Sequence, residues 1–295
     1  MRSVESNSAE VKAGILRSGR LLWLRSLMWM VALLVALIAI LSLQSLAHAV
    51  FPDPGVTVAM AFVVTALAYL AYAGLVRWGE QRAPSELSLR FLPRDLLLGM
   101  LVGALLFSIA FAVLWGSGAY VVARGDWNDV AHDIREAIGT GLLEELLARA
   151  VIFRLLTRAF GQRWAFALSA AAFGVSHLAN ANASYFAVVA IAVEAGLLLA
   201  GFYALTGRIW MSVGAHAAWN FTQGAVFGAR VSGMEGSGSL LVSHPAQGGA
   251  TWWSGGAFGP EASIPAVAVG LAAFLGTIWL IARNQHGQHP VAPPR

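Results

Sequence analysis

The sequence predicts an all-α fold, a polytopic membrane helical bundle of about eight transmembrane helices. Of its 295 residues, 58% are hydrophobic and 12% are charged, whereas an ordinary soluble domain is about half apolar and about a quarter charged. The mean hydropathy is +0.68. Apolar stretches of about 20 residues, the length that crosses roughly 30 Å of hydrocarbon, recur along the chain. Soluble enzymes, nucleic-acid readers and disordered scaffolds are poorly compatible with this composition.

Eight stretches have the length and apolar character of a membrane-spanning helix, with each end placed to within several residues. In chain order they are 26–47, 56–76, 96–116, 137–157, 164–181, 184–205, 209–228 and 263–282. Turn-forming residues separate the first three spans, because Pro52-Asp53-Pro54-Gly55 is followed by Pro84 and Pro93. Membrane lipids are therefore expected around most of the chain.

A signal-peptidase site is a local alternative for the first span, because Ala47-His48-Ala49 follows its apolar block. However, that block is longer than a usual signal core, and about 25 residues precede it. We therefore expect the first span to be retained, and cleavage would not change the orientation of the other seven.

The basic residues predict the orientation of the bundle. Fifteen of the 19 fall in the N-terminal arm, the alternate loops or the tail that lie on one side, and only Arg124, Arg135 and Arg230 fall on the other. Arg149 is the one basic residue inside a span. Because cytoplasmic loops carry the excess of Lys and Arg, both termini are predicted to be cytoplasmic. This placement also argues against a nucleic-acid partner, although the pI is near 10.0.

The chain is predicted to be one domain with a short mobile segment at each end. Residues 1–20 form a mobile cytoplasmic arm, 21–283 the transmembrane domain, and 284–295 a mobile cytoplasmic tail. The glycine-rich outer segment 229–262 holds Trp252-Trp253 and is expected to lie at the membrane surface, where aromatic rings settle. The Arg-rich, nearly Lys-free composition suggests a bacterium with a GC-rich genome, and hence its inner (plasma) membrane.

The fourth predicted span contains three charged side chains, Glu144, Glu145 and Arg149. Each ionisable residue in a span costs about 2.5–3.5 kcal/mol on the insertion scale and usually marks a function or a buried pair. Glu145 and Arg149 are four residues apart, so they lie on one helix face and can pair. Glu144 points about 100° away and is the free carboxylate. A purely structural ion cluster is the alternative, and it explains the pair better than it explains Glu144.

Three further spans carry polar side chains. His177 lies in the fifth span, Glu194 in the sixth, and His216 and Asn220 share one face of the seventh. Each of them alone could have a purely structural role, either as a hydrogen-bonded core residue or as a partner in an interhelical hydrogen bond. Small residues beside the histidines would let neighbouring backbones approach closely. Taken together, a free carboxylate, two imidazoles and a carboxamide would make a poor core and a good reaction site, with Glu194 in a supporting role.

These residues resemble the motifs of the CAAX protease and bacteriocin-processing family of intramembrane endopeptidases (CPBP). Its Glu-Glu-x-x-x-Arg motif is matched by Glu144, Glu145 and Arg149, its Phe-x-x-x-His motif by Phe173 and His177, and its His-x-x-x-Asn motif by His216 and Asn220. The approach to the third motif, Thr206-Gly207-Arg208-Ile209-Trp210, is also similar, and the run Gly255-Gly256-Ala257-Phe258-Gly259-Pro260-Glu261 is a weaker likeness. The resemblance covers a motif core of about 136–225.

The resemblance implies hydrolysis of a peptide bond in or beside the membrane of a membrane peptide or protein substrate. Glu144 would be the general base, His177 would help hold or deprotonate the water, and His216 and Asn220 would donate to the oxyanion. Glu145 and Arg149 would support this site. It implies metal-free catalysis without a cofactor; zinc bound by Glu144, His177 and His216 is the alternative. Since the chain has no cysteine, thiolate nucleophiles, thiolate metal sites and disulfides are excluded.

Two other functions stay open on the sequence. A non-catalytic immunity or chaperone-like membrane module could keep the same fold and bind a partner, although such a role would not need the free carboxylate. A proton-coupled transporter could also use buried Glu and His. Transporters of that class usually show repeated halves with broken helices, and no such repeat is evident in the sequence.

Overall fold

The structure is a computed structural model that describes residues 13–50, 54–127, 130–236 and 238–286. Within these ranges it contains eleven α-helices and two β-strands. The helices are α1 (Leu22–Val50), α2 (Pro54–Leu75), α3 (Leu92–Gly116), α4 (Val130–Glu145), α5 (Arg154–Phe160), α6 (Gln162–Ser176), α7 (Tyr185–Ile191), α8 (Leu198–Thr206), α9 (Trp210–Phe221), α10 (Thr251–Ser254) and α11 (Ile264–His286). The strands are β1 (Tyr120–Arg124) and β2 (Leu241–Pro245).

Five helical stretches among the described residues are long and apolar enough to cross a membrane, and they indicate a multi-pass membrane protein. They are Leu22–Leu43, Ala59–Glu80, Ser85–Gly116, Tyr185–Thr206 and Ile264–Gln285. These correspond to the first, second, third, sixth and eighth predicted spans. The fourth, fifth and seventh are helical too, but the fourth carries several charges, and α6 and α9 have 15 and 12 residues. The count of eight spans and the sides of the termini therefore remain predictions.

Several helices pass through π-helical turns. These turns are Val76–Glu80, Leu146–Phe153, Ala192–Leu197 and Thr222–Val226. The second joins α4 to α5 and the third joins α7 to α8, so each pair continues as one helical rod. Such turns are rare and frequently occur at functional sites. The last three lie beside the polar residues that the sequence singles out.

Close backbone contact between α3 and α9 positions the seventh predicted span. A Cβ atom at Gly103 would lie 2.2 Å from the carbonyl oxygen of Ala215, and one at Gly214 would lie 2.3 Å from that of Leu96. Only glycine permits this approach. The expectation that small residues beside His216 would admit a neighbouring backbone is therefore confirmed, and α3 is the neighbour.

The segment that follows α3 and the glycine-rich segment 229–262 form a small antiparallel sheet that the sequence analysis did not predict. β1 pairs with β2 so that Tyr120 lies opposite Pro245 and Arg124 lies opposite Leu241. Further along, the 3₁₀ turn Pro260–Ala262 packs against α3, α7 and α11. Trp252 is 55% exposed. The predicted loop 229–262 is thus partly folded onto the helices, because apolar side chains near its end find a place in the core.

The basic residues that predict orientation also form ion pairs within the bundle. Arg154 donates to both oxygens of Glu80 at 2.7 and 2.8 Å, and Arg82 pairs with Glu86 at 2.8 Å. Both carboxylates are 2% exposed. Some of the arginines therefore neutralise buried carboxylates, which counting charges along the sequence does not reveal.

The chain ends lie only partly within the described residues. Residues 1–12 of the predicted arm and 287–295 of the predicted tail lie outside them. Within the remainder of the arm, Leu16 is 4% exposed and its carbonyl accepts from Nη2 of Arg158 at 3.2 Å. The start of the described chain is therefore packed on the bundle.

Candidate active site

Glu145 and Arg149 form a fully buried ion pair where α4 passes into its π-helical turn. Nε of Arg149 donates to Oε2 of Glu145 at 2.8 Å, and both residues are 0% exposed. The four-residue spacing predicts this pair, and the structure confirms it. The guanidinium also donates to the carbonyl of Gly196 at 3.3 Å and lies 4.8 Å from the centre of the Phe173 ring. The cation is thereby compensated on several sides, as burial of a charge requires.

The same carboxylate also holds His216 on α9. Nδ1 of His216 donates to Oε1 of Glu145 at 3.1 Å, since an ionised carboxylate can only accept. His216 is 8% exposed. Glu145 therefore connects Arg149 to His216 and orients the imidazole, a contact that the sequence analysis did not anticipate. Nε2 is the ring nitrogen of His216 left for a substrate or water.

Glu144 lies on the other side of this histidine. Its side chain is 38% exposed, and its Oε2 is 4.0 Å from Nε2 of His216. The neighbouring glutamates thus differ as the helical spacing predicts, one locked in a buried pair and the other accessible. The separation of 4.0 Å is too long for a direct hydrogen bond, so the two groups are close without being bonded.

His177 lies at the end of α6 and is 9% exposed. Its Nδ1 donates to the carbonyl oxygen of Phe173 at 2.8 Å. In the neutral ring, this bond leaves Nε2 as an acceptor. The Phe173 ring lies 5.0 Å from the His177 ring and 6.0 Å from the His216 ring, measured between centres. One aromatic side chain therefore contacts both imidazoles and the buried guanidinium.

One cavity joins three of the four predicted catalytic residues. It has a volume of about 30 Å³, which is sufficient for a water molecule. Its polar wall is formed by residues from α6, α9, the turn before α8 and the outer segment, namely His177, Glu194, His216, Asn220, Ser232 and Glu261. Glu144 is not among the residues that line it, although it approaches His216 from the side. Three of the four residues, His177, His216 and Asn220, thus line one cavity.

Asn220 and Glu194 line the cavity from different elements. Nδ2 of Asn220 donates to Oγ1 of Thr140 at 3.4 Å, a long bond that connects α9 to α4. Glu194 is 2% exposed and belongs to the π-helical turn before α8. The sequence analysis assigns Glu194 a supporting role, and its position on the cavity wall is consistent with that role.

Glu261 is a cavity residue that the motif analysis did not single out as part of the site. It is 2% exposed, and its Oε1 accepts a hydrogen bond from the backbone N–H of Ser232. Burial raises the pKa of this carboxyl to about 8, although the hydrogen bond from Ser232 opposes the increase. An acidic residue directly after Gly259-Pro260 in an apolar, glycine-rich segment was the available signal, since such a segment has few reasons to bury a carboxyl.

The residues present do not fit a three-ligand zinc site. Within the four described ranges, no three His, Asp or Glu side chains are grouped closely enough to hold a metal ion. The set Glu144, His177 and His216 is therefore not assembled as the zinc alternative requires. Nδ1 of each histidine is engaged in a hydrogen bond within the protein, which leaves Nε2 as the remaining ring nitrogen of each.

Part of the chain matches a model of a known protein family. Residues 126–222 match the family model Rce1-like, described as Type II CAAX prenyl endopeptidase Rce1-like. This segment is about a third of the chain and runs from the end of β1 to the end of α9, so it includes all three motifs. It confirms the resemblance to the CAAX protease family. No curated protein and no solved structure matches the chain.

Proposed function

Since residues 126–222 carry the segment described by the Rce1-like family model, we propose that the protein is a CAAX-type intramembrane endopeptidase. It hydrolyses a peptide bond in or beside the membrane. The observation that carries this proposal is the cavity that brings His177, His216 and Asn220 together, with Glu144 only 4.0 Å from His216. Five helical stretches among the described residues that are long and apolar enough to cross a membrane support a membrane setting.

Water activation is the role we assign to Glu144 and His177. Glu144 acts as general base, and its partial exposure leaves its carboxylate accessible to water and substrate. His177 assists through Nε2, because the hydrogen bond of Nδ1 to the Phe173 carbonyl leaves Nε2 as an acceptor. A positioned base typically contributes about 10²–10⁴-fold to the rate.

Oxyanion stabilisation is the role we assign to His216 and Asn220. Glu144 and Glu145 flank the His216 ring, and two carboxylates complement a doubly protonated imidazole, in which Nε2 donates. The amide of Asn220 is a neutral donor on the same helix face. Fixed donors of this kind are typically worth about 10²–10³-fold each. The mechanism uses side chains alone and needs no metal or cofactor.

The substrate class that follows is a membrane-associated peptide or protein. A bilayer-embedded site selects for a segment that can enter it from lipid or from the interface, and membrane lipids are the other partners. We place the protein in the inner membrane of a bacterium because of its Arg-rich, nearly Lys-free composition. We place both termini on the cytoplasmic side because of the distribution of its basic residues.

The test is cleavage in a reconstituted system. The purified protein in liposomes is incubated with candidate membrane proteins and peptides, and new termini are identified by mass spectrometry. Wild type is expected to cleave in the presence of EDTA, and Glu144→Gln is expected to lose at least about 10²-fold. Glu136→Gln, an exposed carboxylate on the same helix, is the matched control and should retain activity. Full activity of Glu144→Gln would refute the mechanism.

A further inference from the structure

Glu261 carries an unsatisfied acceptor inside the candidate active-site cavity. Its Oε1 receives the N–H of Ser232, whereas its Oε2 is buried and has no hydrogen-bond partner among the residues that the structure describes. A buried polar atom without a partner costs about 1–3 kcal/mol, and such atoms in a native structure require an explanation. Glu261 lines the same cavity as His177, His216 and Asn220. The explanation that this position supports is that the hydrogen-bond partner of Oε2 arrives with the substrate.

The outer segment is built to hold this carboxyl in place. Phe258 and Ala262, on either side of Glu261, are each 2% exposed and pack against Phe173 and Ile191. A Cβ atom at Gly259 would lie 2.4 Å from the carbonyl oxygen of Arg230. The segment before the glutamate therefore closes tightly onto residues near Ser232, so that the position of Glu261 is determined by packing on both sides.

A second set of contacts ties this segment to the helix that bears His216. Nε1 of Trp219 donates to Oε1 of Gln223 at 3.1 Å, and Nε2 of Gln223 donates to the carbonyl of Arg230 at 2.6 Å. Ser232 follows two residues later with φ at +49°, a conformation uncommon outside glycine. Its N–H is thereby directed at Glu261. These contacts therefore fix the position of the Glu261 carboxyl relative to α9.

We propose that Glu261 is a further catalytic residue, the general acid that protonates the leaving amine of the cleaved peptide bond. This inference rests on the proposed function. Oε2 is the atom that carries the proton, because Oε1 already accepts from Ser232. The candidate site thereby has a base and an acid on separate elements: Glu144, which approaches His216 from beside the cavity, and Glu261, which lines the cavity.

The proton balance of the reaction is complete with these two carboxyls. Water loses a proton to Glu144 as its oxygen bonds to the carbonyl carbon. The carbon–nitrogen bond then breaks, and the proton of Glu261 passes to the leaving nitrogen, which departs as an amine. Glu261 is left as a carboxylate and regains a proton from Glu144 through water. The net reaction consumes one water and one peptide bond, and no redox partner is required.

Charge and burial around Glu261 suit an acid that is neutral before reaction. Burial raises the pKa of its carboxyl to about 8, so it holds its proton at neutral pH, the form that a general acid needs. The titratable and charged groups that face it from the surrounding elements are Tyr120, His177, Glu194, His216 and Arg230. Glu194 is the one other carboxyl on the cavity wall among the described residues, and it is the rival donor.

The experiment compares pH profiles of cleavage for wild type, Glu261→Gln, Glu261→Asp and Glu194→Gln. The general acid must be protonated, so wild-type kcat is expected to fall as the pH rises past about 8. Glu261→Gln should lose at least about 10²-fold in kcat at neutral pH, with little change in KM. It should also lose the alkaline limb, whereas Glu261→Asp should retain that limb and part of the rate. Glu235→Gln, an exposed carboxylate in the same segment, is the matched control.

A second measurement detects the proton without requiring turnover. Infrared spectra of wild type at neutral pH should contain the band of a protonated carboxyl that is missing from Glu261→Gln, and this band should titrate near pH 8. Its persistence in Glu261→Gln would overturn the inference. If Glu261→Gln is unfolded, as judged by its thermal melt, the wild-type titration and Glu261→Asp decide the result.

Failure of the inference and failure of the proposed function give different results. If wild type cleaves, Glu144→Gln does not, and Glu261→Gln keeps both its rate and its alkaline limb, the protease assignment stands and the role of Glu261 is refuted. If Glu194→Gln, and not Glu261→Gln, loses the fall of kcat at alkaline pH, the general acid is Glu194. If wild type cleaves nothing across the substrate panel, the proposed function fails and the inference falls with it.

Discussion

Nδ1 of His216 lies 3.1 Å from Oε1 of Glu145, although 71 positions separate the two residues in the chain. Glu145 also binds Arg149 through its other oxygen, at 2.8 Å. One buried carboxylate therefore compensates a buried cation and orients an imidazole. This shared use makes α4 and α9 dependent on each other, and it motivates the first prediction.

Removing the buried cation alone should destabilise the protein strongly. Arg149→Met leaves the buried Glu145 with His216 as its remaining polar partner among the described residues, and removing one partner of a buried ion pair typically costs about 3–5 kcal/mol. The double variant Glu145→Gln/Arg149→Met should lose less than the sum of the two single variants, because neither charge remains. The free energy of unfolding in detergent micelles measures the coupling, and Arg163→Met, at an exposed position, is the control. Additive losses would show that the pair does not act as a unit.

A methyl group between α3 and α9 should disturb the site without touching a polar residue. At Gly103 the added Cβ would lie 2.2 Å from the carbonyl oxygen of Ala215, the neighbour of His216. Overpacking of this kind typically costs about 1–3 kcal/mol. Gly103→Ala should therefore lower both the melting temperature and the cleavage rate.

The matched control for that substitution is Gly116→Ala on the same helix, where an added Cβ meets no described heavy atom within 4 Å. Thermal melts of both variants in the same detergent give the comparison. Equal melting temperatures for the two variants would contradict the close packing of α3 on α9.

Loss of the Asn220 amide should affect turnover more than binding. If Asn220 donates to the oxyanion, Asn220→Ala should reduce kcat by about 10²–10³-fold and change KM little. Thr140→Val breaks the 3.4 Å hydrogen bond to Asn220 while leaving the amide in place, so it should cost much less. A large increase in KM with unchanged kcat would instead assign Asn220 to substrate binding.

The buried carboxyl of Glu261 should make stability depend on pH. Its pKa is about 8 in the folded protein against an ordinary value of 4.5. Between these two values the folded state holds a proton that the unfolded state has released, so stability is highest below pH 4.5 and falls as the pH rises towards 8. At about 1.36 kcal/mol per pKa unit, the contribution is on the order of 5 kcal/mol at most.

Thermal melts at pH 5 and pH 8 test this dependence. Wild type should lose melting temperature across the interval, and Glu261→Gln should lose markedly less, because its amide cannot ionise. Glu235→Gln, whose side chain is exposed, should follow wild type. A parallel decline in wild type and Glu261→Gln would place the titrating group elsewhere.

Part of the site could be predicted because it is local in sequence. The pairing of Glu145 with Arg149 follows from a separation of four residues on one helix, and the different accessibility of Glu144 follows from its position one residue away. The convergence of His177, His216 and Asn220 followed from the cost of leaving polar groups in lipid, which favours burying them together. The outer sheet and the burial of Glu261 did not follow, because the strands pair across more than 100 positions and their alternation is weak.

Composition, span length and helical spacing determined that the chain is a helical membrane protein and which polar residues had to be explained, because these properties depend on neighbours within a few residues. Only the tertiary structure decided their partners. The bond between Glu145 and His216, the contact of Phe173 with both imidazoles, and the entry of Glu261 into the cavity all depend on how distant helices pack. Periodicity within one segment carries no information about which other segment it will meet.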